Sequence, residues 1–163
     1  QDISNMTPGE FERAMHIRKK SKRVRDAALK NYINGRLGLL IDGTGKDYAK
    51  IASQKNKLKQ VGYDCFMIFV NTDLDVALER NKKRDRTLPE KLVKDAWNGV
   101  QNNLGKFQAL FGASNMLIVD NSEFKDFPDV VKKSANEFMN RKIQNPIAKA
   151  WIKKEKELRN KKW

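Results

Sequence analysis

Cysteine and histidine are almost absent: Cys65 and His16 are the only ones in 163 residues. One thiol forms no intramolecular disulfide, and a zinc site built on several cysteines is excluded. One imidazole leaves no His-based metal cluster and no Ser/His/Asp triad. Cys65 falls inside an apolar run and reads as a small buried residue. His16 stands among helix formers and reads as a surface or packing residue. No apolar run approaches the roughly 20 residues that span a bilayer, and no signal peptide is visible. The simplest expectation is a cytoplasmic protein with no membrane partner. Internal repeats and low-complexity segments are lacking too.

Acidic residues are the scarcer sign, 20 against 34 Lys+Arg, for a net charge of +14. That excess favours anionic partners such as nucleotides or nucleic acid, and equally fits a solvated, Lys-rich surface. Hydrophobic residues make up 39%, including 8 Phe and 3 Trp, which is enough for one compact domain and argues against disorder. The first residue is Gln1 rather than Met, so the sequence is expected to be trimmed, processed or cut from something longer.

Local signals order the chain. Thr7-Pro8-Gly9-Glu10 reads as a capped helix start, opening a long basic helix over about 8–33, with Gly35 as its stop. Leu37-Gly38-Leu39-Leu40-Ile41 reads as a short buried strand ending in the turn Asp42-Gly43-Thr44-Gly45. A helix over about 47–61 follows. Cys65 to Val70 is a fully apolar strand, expected to be covered on both faces. Asn71 or Thr72 then caps a helix running to about Lys83. Arg84 to Pro89 reads as a loop. One amphipathic helix follows, carrying Leu92, Val93, Trp97, Val100, Leu104, Phe107, Leu110 and Phe111. Met116 to Asp120 reads as a third strand, and Pro128 opens a helix over about 128–140. The tail from Arg141 carries nine Lys/Arg against Glu155 and Glu157, and reads as helical from about 146.

Strands alternating with helices predict an α/β fold, a parallel sheet flanked by helices. Three fully apolar strands make a small sheet, so the sheet is expected to be incomplete. The expected division is a domain over 1–140 and a basic helical tail over 141–163.

Three segments are candidates for chemistry. Asp42, Gly43 and Thr44 follow a predicted strand, where open parallel sheets bind ligands. An Asp there holds Mg²⁺ through water or accepts a substrate hydroxyl; a plain turn is the alternative. Gly43-Thr44-Gly45-Lys46 is not a P-loop, because G-x-x-x-x-G-K-[ST] would need Gly at 40 and Ser or Thr at 47, where the chain has Leu40 and Asp47. Arg80, Arg84 and Arg86 lie within seven residues. Their cations either complement a helix C-terminus or neutralise a transferring phosphoryl group. Asp120-Asn121-Ser122 ends the third strand, and Asn121 either touches a base or ribose or forms part of a plain turn. Phe107, Phe111 and Trp97 read as core. Trp151 and Trp163, set in the basic tail, are too sparse for a base-stacking platform.

Taken in order, Gly35 to Gly45, Phe69-Val70-Asn71-Thr72, Ala77 to Asn81, Arg84 to Pro89, Trp97, Asn102 to Gln108 and Ile118-Val119-Asp120-Asn121 resemble a phage-type branch of the zeta-toxin-like and polynucleotide-kinase-like P-loop kinases. The likeness covers about residues 1–122. It implies an ATP- and Mg²⁺-dependent kinase. Asp42-Gly43-Thr44 would lie beside the acceptor. Arg80 and Arg84, with Arg86, would form a lid on the ATP phosphates, and Asn121 would join them in nucleotide binding. No metal ligand is assigned. The family's phosphate-cradling loop and the segment bearing its catalytic base would precede Gln1. A chain complete as it stands is therefore expected to be an incompetent phosphotransferase. The acceptor on this reading is a polynucleotide or a nucleotide-type hydroxyl. The alternative is a non-catalytic, basic nucleic-acid-binding module.

Overall fold

The computed structural model describes residues 6–85, 87–123 and 127–161. It divides into two units, residues 1–43 with 83–88, and residues 44–82 with 89–163.

The first unit is dominated by helix α1, Pro8–Asn34. Its start is the capping box expected from the sequence. The Glu10 amide donates to Thr7 Oγ1 at 3.4 Å, and the Thr7 amide donates to Glu10 Oε2 at 2.9 Å. The Thr7 hydroxyl also donates to Glu10 Oε2, at 2.7 Å, and this bond, ahead of the Thr7 amide's, holds the Glu10 carboxyl below its ordinary pKa. The helix closes with two reversed bonds, Leu37 N–H to Tyr32 O and Arg36 N–H to Ile33 O. In this Schellman pattern the residue at C′ adopts left-handed backbone. Gly35 caps α1 at φ −77°, and the left-handed position falls on Arg36 at φ 56°. No residue of α1 is buried.

The strand expected at Leu37–Ile41 is not formed; these residues are irregular. An apolar run becomes a strand only when a neighbour accepts its backbone hydrogen bonds. No described segment pairs with it, and Leu40 is 99% exposed.

The second unit holds a parallel pair of strands, β1 (Met67–Asn71) and β2 (Met116–Asp120). Register runs from Met67 opposite Met116 to Asn71 opposite Asp120. The order of elements is α2 (Tyr48–Gln60), β1, α3 (Leu74–Lys82), α4 (Glu90–Gln101), α5 (Leu104–Phe111), a 3₁₀ turn, β2, α6 (Phe127–Asn140) and α7 (Pro146–Asn160). A parallel pair needs a long crossover, and α3, α4 and α5 supply it. Cover is less complete than the apolar runs predict: Phe69 and Val119 are buried, while Val70 and Ile118 stay exposed.

The single helix expected over 87–111 is two helices, parted at Asn102–Asn103. Asn103 is buried, and its side-chain amide donates to Gly45 O at 3.2 Å and Lys46 O at 2.9 Å. Asparagine is a poor helix interior residue, and here its amide serves another segment. Gly45 meets it at φ +75°, a conformation that favours glycine.

The core centres on Phe107, which is wholly buried. Its ring centroid lies 5.6 Å from Tyr48 of α2 and 6.3 Å from Phe69 of β1. A second pair, Phe66 stacked on Phe138 at 4.7 Å, ties α6 to the residue just before β1. The tail helix α7 starts at buried Asn145. Its Oδ1 accepts from the Ile147 amide, and its Nδ2 donates to Lys59 O and Tyr63 O.

Phe107→Ala is expected to cost about 3–5 kcal/mol, whereas Phe11→Ala on exposed α1 should cost under ~0.5 kcal/mol. Urea unfolding of the two variants measures this, and equal losses would remove Phe107 from its central place.

Candidate functional site

Ligands of open parallel sheets bind outside the carboxyl ends of the strands. β1 leaves the sheet as Asn71-Thr72-Asp73 and β2 as Asp120-Asn121-Ser122. Hydrogen bonds knit the two exits together. The Asn121 amide donates to Asn71 O at 2.7 Å, one step beyond the strand register. The Asp73 amide, at the start of α3, donates to Ser122 Oγ at 3.0 Å. The Ser122 amide donates to Asp120 Oδ1 at 2.8 Å. Helix α4 braces the same exits: Trp97 Nε1 donates to Thr72 O, and Gln101 Nε2 to Asn71 Oδ1, both at 2.8 Å.

Arg80 reaches this cluster from α3. Its guanidinium is half-buried and donates to Ser122 O at 3.4 Å. A cation is thus held at the strand ends, beside Asn121. The Asn121 Oδ1 is buried and has no hydrogen-bond partner among the described residues. A buried amide oxygen left unmatched costs about 1–3 kcal/mol, so it marks a place where a donor is wanted. The Asp120 carboxyl is held below its ordinary pKa, first by the Ser122 hydroxyl and then by the Ser122 amide. A lowered carboxylate pKa contributes stability above the unfolded value and loses it as pH falls through the folded value.

Of the residues singled out from the sequence, Arg80 and Asn121 both belong to the second unit, and Arg80 bonds to Ser122, the residue that follows Asn121. Thr44 belongs to that unit as well and is exposed. Asp42, Gly43 and Arg84 belong to the first unit, where each is exposed. Arg86 lies outside the described residues. Trp97, read as core, is half-buried, and its indole nitrogen is spent on the β1 exit. The roles of Gln101 and Ser122 are not visible in the sequence, because their partners are distant in the chain.

Among the described residues no three His, Cys, Asp or Glu side chains come close enough to hold a metal ion. Two concavities of ≈ 360 and ≈ 270 Å³ lie between α2 and the start of α7, with Lys59, Asn145 and Pro146 common to both. Neither is lined by Arg80 or Asn121. Cys65 lines the smaller one. Burial raises its thiol pKa, and Lys55 only partly offsets this, so the thiol is a poor nucleophile. Among the described residues no helix is long and apolar enough to cross a membrane.

The family model described as Zeta toxin matches residues 6–136. No solved structure matches the chain.

Ser122→Ala should raise the Asp120 carboxyl pKa towards the ordinary aspartate range. An NMR pH titration of the Asp120 side chain reads this directly; an unchanged midpoint would show that the hydroxyl does not stabilise the carboxylate.

Proposed function

The chain belongs to the Zeta toxin family, a P-loop kinase-like family, and on that premise we propose that it serves ATP-dependent phosphotransfer to a polynucleotide or nucleotide-type hydroxyl. The observation that carries the reading is Arg80. It is a half-buried cation at the carboxyl ends of two parallel strands, where an α/β sheet receives its ligand. Arg84 and Arg86 follow it in sequence and complete the proposed lid.

Phosphoryl transfer demands positioning and charge neutralisation more than covalent help. Arg80 suits that demand, because a planar guanidinium donates two parallel bonds to phosphate oxygens. Its bond to Ser122 O aims it and limits the freedom it loses on binding. Asn121, whose amide oxygen has no partner among the described residues, takes the base or ribose end of the nucleotide. Asp42, Gly43 and Thr44 are assigned to the acceptor side, where glycine lets backbone approach closely. Mg²⁺ would be held mainly by phosphates and water, as that ion prefers, and would neutralise charge on the triphosphate. No G-x-x-x-x-G-K-[ST] occurs in residues 1–163, so on this reading the phosphate-cradling loop is supplied from outside them. A cytoplasmic setting, where ATP is available, fits the proposal.

The test uses the full gene product with radiolabelled ATP, offered a 5′-hydroxyl oligonucleotide and a nucleotide sugar as acceptors. Arg80→Ala and Arg84→Ala should each lower phosphotransfer by about 10²- to 10³-fold, with melting temperatures near wild type. Unchanged rates in both variants would sink the lid assignment. Transfer to neither acceptor by the parent protein would reject the acceptor class.

A further inference from the structure

Helix α1, in the first unit, carries a large share of the charge. It holds eight Lys/Arg (13, 18, 19, 20, 22, 23, 25 and 30) against Glu10, Glu12 and Asp26. At about 100° per residue, Arg13, Lys19, Lys20, Arg23 and Lys30 fall within about 120° of arc. All five are exposed. Of α1's other cations, Arg25 is taken by its neighbour Asp26 at 2.8 Å. Among the described residues the side chains of Lys19, Lys20, Arg23 and Lys30 make no ion pair or hydrogen bond. Arg13 donates only to Gly9 O in its own helix.

We propose that this cationic face of α1 binds duplex nucleic acid through its phosphates. From Arg13 to Lys30 the face runs about 25 Å at 1.5 Å per residue. A duplex of that length presents about 15 phosphates. Like charges spaced so closely on one exposed helix repel one another, and a regular polyanion relieves the repulsion by releasing its own counterions. A bare helix is also slim enough to lie along a groove, since the DNA major groove admits one.

The other polyanions fit less well. An interfacial membrane helix needs one broad apolar face opposite its cations. In α1 the exposed apolar residues Val24, Ile17, Tyr32, Phe11 and Met15 spread over about 180° of the helix wheel. Arg18 and Arg25 fall in the middle of that arc and would bring two cations into the apolar layer. A single strand needs aromatic rings among the cations for its bases to stack on, and Phe11 and Tyr32 both lie off the cationic arc. Contact is through phosphates, so binding is expected to be largely independent of sequence. The proposal stands apart from the kinase reading, because none of the five cations is assigned to phosphotransfer.

The experiment compares the wild-type chain with Lys19→Gln/Lys20→Gln/Arg23→Gln/Lys30→Gln, and with an α7 control, Lys149→Gln/Lys153→Gln/Lys156→Gln/Arg159→Gln. The two variants lose the same charge, and glutamine keeps nearly the helix propensity of lysine and arginine. Circular dichroism verifies the helix content of both. Fluorescence anisotropy with a labelled DNA duplex and a labelled RNA duplex of about 20 base pairs is read between about 50 and 200 mM salt. The α1 variant should bind at least tenfold more weakly at the lowest salt. Its plot of log affinity against log salt should be shallower by about 3 to 4. The α7 control should keep the wild-type slope. Equal loss in both variants would mean that net charge and not the α1 face governs binding, and would overturn the proposal. So would wild-type binding that is absent from both duplexes, or found only on phosphatidylserine vesicles.

Discussion

Phe107 is the point on which the second unit depends. Two strands do not hold together alone in water; they need a covering layer. Phe107 supplies it by touching α2 through Tyr48 and β1 through Phe69. Just before it, Asn103 draws the carbonyls of Gly45 and Lys46 against the same helix. One turn of α5 therefore positions both the sheet and the segment that leads into α2. The helix break at Asn102–Asn103 is part of this arrangement, since a continuous helix would leave that amide no reason to turn inward.

The strand exits inherit their order from this packing. Trp97 and Gln101, on α4, hold Thr72 and Asn71 in place. Ser122 bridges the other exit to the start of α3, and Arg80 returns from α3 to Ser122. The result is a guanidinium whose aim is set by the sheet rather than by solvent. Arginine so held loses little further freedom when it meets a phosphate. That is the property on which the proposed nucleotide site rests.

Much of this was legible from residue types, and the rest was not for definite reasons. Thr7 with Glu10 marks the start of α1 because a cap is a local interaction. The apolar run Met116 to Val119 became a strand because β1 was available beside it. Leu37–Ile41 has the same apolarity and no described partner, so it stayed irregular; hydrophobic pattern reports a wish for burial, not the presence of a neighbour. The division between α4 and α5 was hidden because the apolar stripe runs straight through it, while the cause is an amide bonded to carbonyls 57 and 58 residues away. For the site, Asp120-Asn121-Ser122 stood out by following an apolar run. Its link to Arg80, 42 residues away in the chain, is tertiary and leaves no mark on local composition.

The parallel register has a further consequence during synthesis. Met67 pairs with Met116, so β1 leaves the ribosome 49 residues before its partner exists. At about 5–20 residues per second, that is a wait of roughly 2 to 10 seconds. Throughout it, the apolar stretch from Cys65 to Val70 lacks β2, and the loop that brings the two together is long enough to be slow to close. The cations of α1 have already emerged by then. Like charge on α1 disfavours close approach of two such nascent chains during that wait.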